Sequence, residues 1–194
     1  MQTPGSPAHS LQARLPVQRE IPEVFGVVLF AVFGWSIRGF LYKIPAFSLY
    51  FGLTTNLAIL SYMFAFALFE SLLVTGALVA TAALLPARFL RDGFAYKGFL
   101  IVLCATIAMI VFEGYYRVEF FKDLMAGNDS SIPPFVIGLV VSLVSLFGLL
   151  RLFHVKPRLQ RYALHVMEQF SVFTYIYVPL GLIGLIVMIV RNLP

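Results

Sequence analysis

The sequence predicts an all-α protein: a polytopic membrane helix bundle with five transmembrane helices and one interfacial amphipathic helix. Three observations carry that prediction. Hydrophobic residues make up 60% of the 194 and charged residues only 12%, against about 25% charged in soluble domains. Between Lys43 and Arg88 the chain runs 44 residues with Glu70 as its one charge. The segment 158–170 carries apolar residues at helical spacing opposite a charged face, the pattern of a helix lying at a boundary.

With about 20 residues needed per span, five spans and short loops use nearly the whole chain. The expected organisation is a disordered cytoplasmic tail, residues 1–20, ahead of a single transmembrane helical domain, residues 21–194. Pro4, Gly5, Ser6 and Pro7 favour turns, and the tail has too little apolar surface to fold alone. Arg14 and Arg19 before an apolar stretch imitate a secretory signal, but no small-x-small cleavage site precedes Lys43, which favours a retained anchor.

Span one covers about Val24 to Leu41, after Pro22 and Glu23, residues suited to a helix's first turn. The run from Ala46 to Leu85 is too long for one crossing and too short for two. Pro45 to Thr55 is therefore placed at the interface, with Tyr42, Phe47, Tyr50 and Phe51 as an aromatic belt, and one long helix runs from Asn56 to Leu85. Pro86 ends it. Span three runs from about Tyr96 to Tyr116, followed by an acidic, turn-rich loop with Glu119, Asp123, Gly127, Asn128 and Asp129. Span four occupies Phe135 to Phe153. From Arg158 to Phe170, Leu159, Tyr162, Ala163, Val166, Met167 and Phe170 share one helical face, while Arg158, Arg161, His165 and Glu168 take the other. Span five follows, about Ser171 to Val190.

Nine of the fourteen basic residues fall on one side of this plan: Arg14, Arg19, Arg88, Arg91, Lys97, Arg151, Lys156, Arg158 and Arg161. The excess predicts a cytoplasmic N-terminus and an external C-terminus, in a bacterial-type plasma membrane. The same distribution explains the net charge of +5 without nucleic acid, for which neither a basic stripe nor a recognised module is present.

A charge at membrane depth is costly, which makes it the first place to seek function. At a 1.5 Å rise, Arg38 stands roughly 21 Å above Val24, Glu70 roughly 24 Å above Pro86 and Glu113 roughly 24 Å above Lys97. The three are therefore expected in one outer layer, as an intramembrane charge cluster in which Arg38 pairs with Glu70, Glu113 or both. Independent snorkelling, with Glu113 paired to Arg117 one turn on, and a proton or ion pathway through Glu70 are the competing readings. Gly76, Ala80 and Ala83 on span two, and Gly138, Ser142 and Ser145 on span four, form small-residue faces suited to helix packing.

Other chemistry is thin. His154 and His165 straddle Pro157 without a metal-ligand constellation, and Cys104 has no disulfide partner in the chain. Asn128-Asp129-Ser130 fits a glycosylation acceptor. No phosphate loop, catalytic triad or zinc motif is present, and no cofactor is implied. The five-span plan resembles the membrane portion of lipoteichoic-acid synthases and related sulfatase-fold head-group transferases, a likeness of topology alone. Those proteins carry a large catalytic domain after the fifth span, which these 194 residues do not include.

Three functions compete. The chain is expected to be a non-catalytic integral membrane protein, an accessory or structural subunit whose partners are the bilayer and other membrane subunits or copies of itself. The alternatives are a small transporter or channel subunit using Glu70, and the membrane domain of a lipid or cell-envelope head-group modifying system.

Overall fold

The computed structural model describes residues 16–86, 89–115, 125–126 and 132–193. Six long helices contain the regular structure of these residues: α1 Glu20–Tyr50, α2 Leu53–Leu84, α3 Phe94–Tyr115, α4 Ile132–Val155, α5 Pro157–Ser171 and α6 Thr174–Asn192. No strand occurs among the described residues. Every one of these helices except α5 is long and apolar enough to cross a membrane. The tail through residue 15, Arg88, and the acidic loop with Glu119, Asp123 and Asn128-Asp129-Ser130 lie outside the described residues.

Local chemistry sets the ends of these helices. Glu20 and Glu23 occupy the first turn of α1, where a carboxylate opposes the positive end of the helix dipole. The helix then runs through Pro45 to Tyr50, past the point where span one was expected to stop. Proline removes one amide donor and its ring crowds the carbonyl of Leu41, yet the helix continues through it and the break falls later. It comes at Phe51 and Gly52, both extended, after which the Thr55 and Asn56 amides donate to the Gly52 carbonyl. At the far end of α2, Leu85 is extended, as the residue before a proline prefers. The expected stop at Pro86 is the observed one.

The chain divides into two compact units, residues 1–95 with 164–194 and residues 96–163. In the first, α2 runs antiparallel to α6, with Leu68 against Gly181, Ser61 against Gly184, and Asn192 donating to the Tyr62 hydroxyl at 3.2 Å. Helices α1 and α6 run the same way: Gly26 meets Ser171 and Thr174, and the Phe33 and Tyr177 rings stack at 4.7 Å. Phe33, fully buried beside Leu29, Ala67 and Leu68, centres this core and also stacks on Phe64 at 5.6 Å. The backbones approach closely because glycine is present. A Cβ on Gly184 would collide with the Ser61 carbonyl and the Ala65 amide, and one on Gly181 would lie 2.7 Å from Leu68 Cβ. Ser71, buried among apolar groups, returns its hydroxyl to the Ala67 carbonyl at 2.7 Å, which satisfies it inside its own helix.

Glu20 also reaches across the sequence. Its carboxylate accepts the Ala95 amide at 3.0 Å, capping the start of α3, which follows the left-handed turn at Gly93, φ 73°. That bond ties the first turn of α1 to Ala95 within the first unit.

In the second unit the start of α3 packs on the end of α4. Tyr96, Leu100 and Ala163 are buried together, with Phe99, Leu146, Leu150 and Phe153 against them. The Gln160 amide donates to the Phe153 carbonyl at 2.9 Å, fixing the bend between α4 and α5. The apolar stripe of α5 is as expected except at its edge: Ala163 and Met167 are buried, whereas Tyr162 is 70% exposed. On a helical wheel Tyr162 sits at the margin of the stripe, where a phenol can keep its hydroxyl outside.

Gly184→Ala should lower stability by about 1–3 kcal/mol, the usual cost of overpacking. Gly39→Ala, where an added methyl meets open space, should be neutral or stabilising by up to about 1 kcal/mol. Thermal melts of the two variants in one detergent check the contrast. Removing the cap with Glu20→Ala should cost about 1 kcal/mol, and Glu20→Gln, which keeps an acceptor oxygen, should cost less in the same melts.

Candidate functional site

Glu70 stands on the outer side of α2, exposed, with Phe66, Phe69 and Leu73 exposed around it. Its immediate neighbours Ala67, Leu68 and Ser71 are buried, so the helix turns its apolar side inward and this carboxylate outward. A carboxylate among aromatic and aliphatic surface groups is a group waiting on its surroundings for solvation.

Arg38 is likewise exposed, on α1. Its guanidinium lies 4.9 Å from the centre of the Trp35 ring, one turn earlier in the helix. A cation over an indole face gains about 0.5–1 kcal/mol at an exposed position and more where water is scarce. The Phe33–Phe64 stack marks a common level of the antiparallel pair α1 and α2. From it Arg38 lies five residues along one helix and Glu70 six along the other, in opposite directions. At 1.5 Å per residue these eleven steps separate the two by about 16 Å along the axes. The depth expected for Glu70 counted upward from Pro86, whereas α2, with 32 residues, is about 48 Å long and exceeds a hydrocarbon core of about 30 Å. Its two ends are too far apart for both to lie at the edges of such a layer on a helix that crosses it upright. Glu113 belongs to the second unit, half-buried on α3, and like Arg38 it has an interacting group.

The small-residue faces separate. On α2, Gly76 and Ala80 are exposed and Ala83 half-buried, and a Cβ on Gly76 would meet nothing within 4 Å. On α4, Gly138, Ser142 and Ser145 line an apolar groove of about 630 Å³ formed with α3, whose Ala108 and Phe112 make the opposite wall. Close helix contact in the first unit runs instead through Gly26, Gly181 and Gly184. The spacing of Gly181 and Gly184, one turn apart in an apolar helix, was the available signal for them. The spacing of Trp35 and Arg38, three residues apart on one helix, was likewise a local signal, whereas the Glu20 cap had none, because it depends on what lies across from it.

Among the described residues no group of three or more His, Cys, Asp or Glu is placed to hold a metal ion. His165 lies 3.8 Å from Glu168 within α5, both well exposed. Comparison with protein-family models, with curated proteins and with solved structures gave no match.

Trp35 is the only tryptophan, so the cation–π contact can be read directly. Arg38→Gln should shift the emission maximum of the folded protein, and Lys43→Gln should leave it in place. Identical spectra for both variants and the parent would count against the contact.

Proposed function

We propose that this chain is a non-catalytic integral membrane protein, an accessory or structural subunit of a larger membrane assembly. The observation that carries the reading is the surface of α4, where the apolar window Val136–Phe153 has none of its residues buried within the chain. Helix α2 adds a second uncovered apolar face around Phe66, Phe69 and Leu73. Such faces meet lipid or another helix, and a helix packed internally only near its end, through Leu146, Leu150 and Phe153, is held along the rest of its length by what surrounds it. The positive-inside excess and the antiparallel course of α2 against α1 and α6 support an N-terminus on the cytoplasmic side and a C-terminus outside.

A photo-crosslinking residue at Val144, exposed on α4, should capture another polypeptide in native membranes, and the same residue at buried Phe33 should not. Lipid adducts alone at Val144 would sink the assembly reading.

A second reading, a small transporter or channel subunit, draws on the exposure of Glu70. A carboxylate on the outside of the helix could face a pathway formed between chains. In reconstituted vesicles, Glu70→Gln should then reduce pH-dependent ion flux at least tenfold, whereas flux equal to the parent's removes this reading.

A further inference from the structure

The end of α4 and the start of α5 carry Arg151, Lys156, Arg158 and Arg161, all exposed, in a stretch with no acidic residue between Asp129 and Glu168. The fold turns these charges outward. Ala163 on the apolar side of α5 is committed to the cluster with Tyr96 and Leu100, and the Gln160 bond to the Phe153 carbonyl spans the α4–α5 bend along which the four cations lie. The groove between α3 and α4 has Leu149 as its last lining residue on α4, two turns before Lys156. Along α4 its wall is Gly138, Ser142, Ser145 and Leu149, at spacings of four, three and four, which is one helical face. Lys156 comes seven residues after Leu149, again on that face, and its amide still makes the helical bond to the Leu152 carbonyl at 3.1 Å.

Magnitudes favour a lipid. From Gly138 to Leu149 the groove runs about 16 Å along α4, close to half of a hydrocarbon core of about 30 Å. That is the depth of one leaflet's acyl layer. A volume of about 630 Å³ is within the usual range for small-ligand sites, about 300–1,000 Å³. Clusters of four or more Lys and Arg at the membrane end of a helix attract anionic headgroups.

We propose that the α3–α4 groove and the cationic cluster at its α4–α5 end form one site for an anionic phospholipid of the surrounding bilayer. One acyl chain lies along Ser142 and Ser145, and the phosphate rests on Lys156 and the neighbouring arginines. This rests on the membrane reading above and adds a ligand to it. The hydroxyls of Ser142, bonded to the Gly138 carbonyl at 2.8 Å, and the absence of bulk at Gly138 keep the wall smooth enough for a chain to lie flat.

The test reconstitutes the full chain in phosphatidylcholine vesicles with trace phosphatidylglycerol or phosphatidylcholine spin-labelled near the acyl terminus, and reads the motionally restricted fraction by electron paramagnetic resonance. Phosphatidylglycerol should be preferred about fivefold or more. The preference should collapse at about 1 M salt, where the Debye length is about 3 Å, and in the combined Arg151→Gln, Lys156→Gln, Arg158→Gln, Arg161→Gln variant. Ser142→Leu with Ser145→Leu should remove the restricted anionic lipid while leaving the cluster intact. Equal binding of the two lipids by the parent, a preference that survives high salt or the fourfold variant, or one unchanged by filling the groove would each overturn the site. So would a parent dimer that the groove-filling variant converts to monomer, since a second copy would then be the occupant. A chain that fails to float with the vesicles after an alkaline wash would sink the membrane reading itself.

Discussion

The closest constraint in this protein is the approach of α6 to α2 at Gly181 and Gly184, where there is no room for a Cβ. In an apolar medium helices gain little from hiding apolar surface, since lipid tails are as apolar as leucine, so association rests on close contact and on hydrogen bonds. Glycine supplies the first by letting backbones meet. The Tyr62–Asn192 bond supplies the second at the end of the same pair. With α2 and α6 fixed in antiparallel register, Phe33 of α1 finds Phe64 on one and Tyr177 on the other. Gly26 then brings α1 against the start of α6.

This register also governs where the charges fall. Helices α1 and α2, with 31 and 32 residues, are both longer than a hydrocarbon core requires, and a helix of that length must tilt or project. Depth counted from one end of such a helix includes any overhang. Glu70 and Arg38 leave the Phe33–Phe64 level in opposite directions, and Arg38 meets the face of Trp35 in its own helix. The carboxylate is left exposed on α2 among Phe66, Phe69 and Leu73.

The second unit is organised at one end and open at the other. Aromatic and aliphatic groups bind the start of α3 to the end of α4 and to α5, while farther along the same two helices a groove remains. The α5 stripe is largely used inside the chain. Amphipathicity here reports a packed face with a charged outer side, and the charged side is what α5 offers to its environment.

Sequence by itself determined the features that are local. Five apolar stretches long enough to span, the stop before Pro86, and the stripe of α5 follow from hydropathy, from the steric effect of proline on its predecessor and from a period of 3.6 residues, and each is complete within one segment. The tertiary structure decided the rest. Span one was expected to end near Leu41, with Pro45 to Thr55 at the interface, yet the helix continues through Pro45 to Tyr50. Gly76 and Gly184 look alike in sequence, yet one faces open space and the other a backbone carbonyl. Which glycine matters, and which charges share a level, depend on the distance and register of a neighbouring helix, and no single segment contains that information.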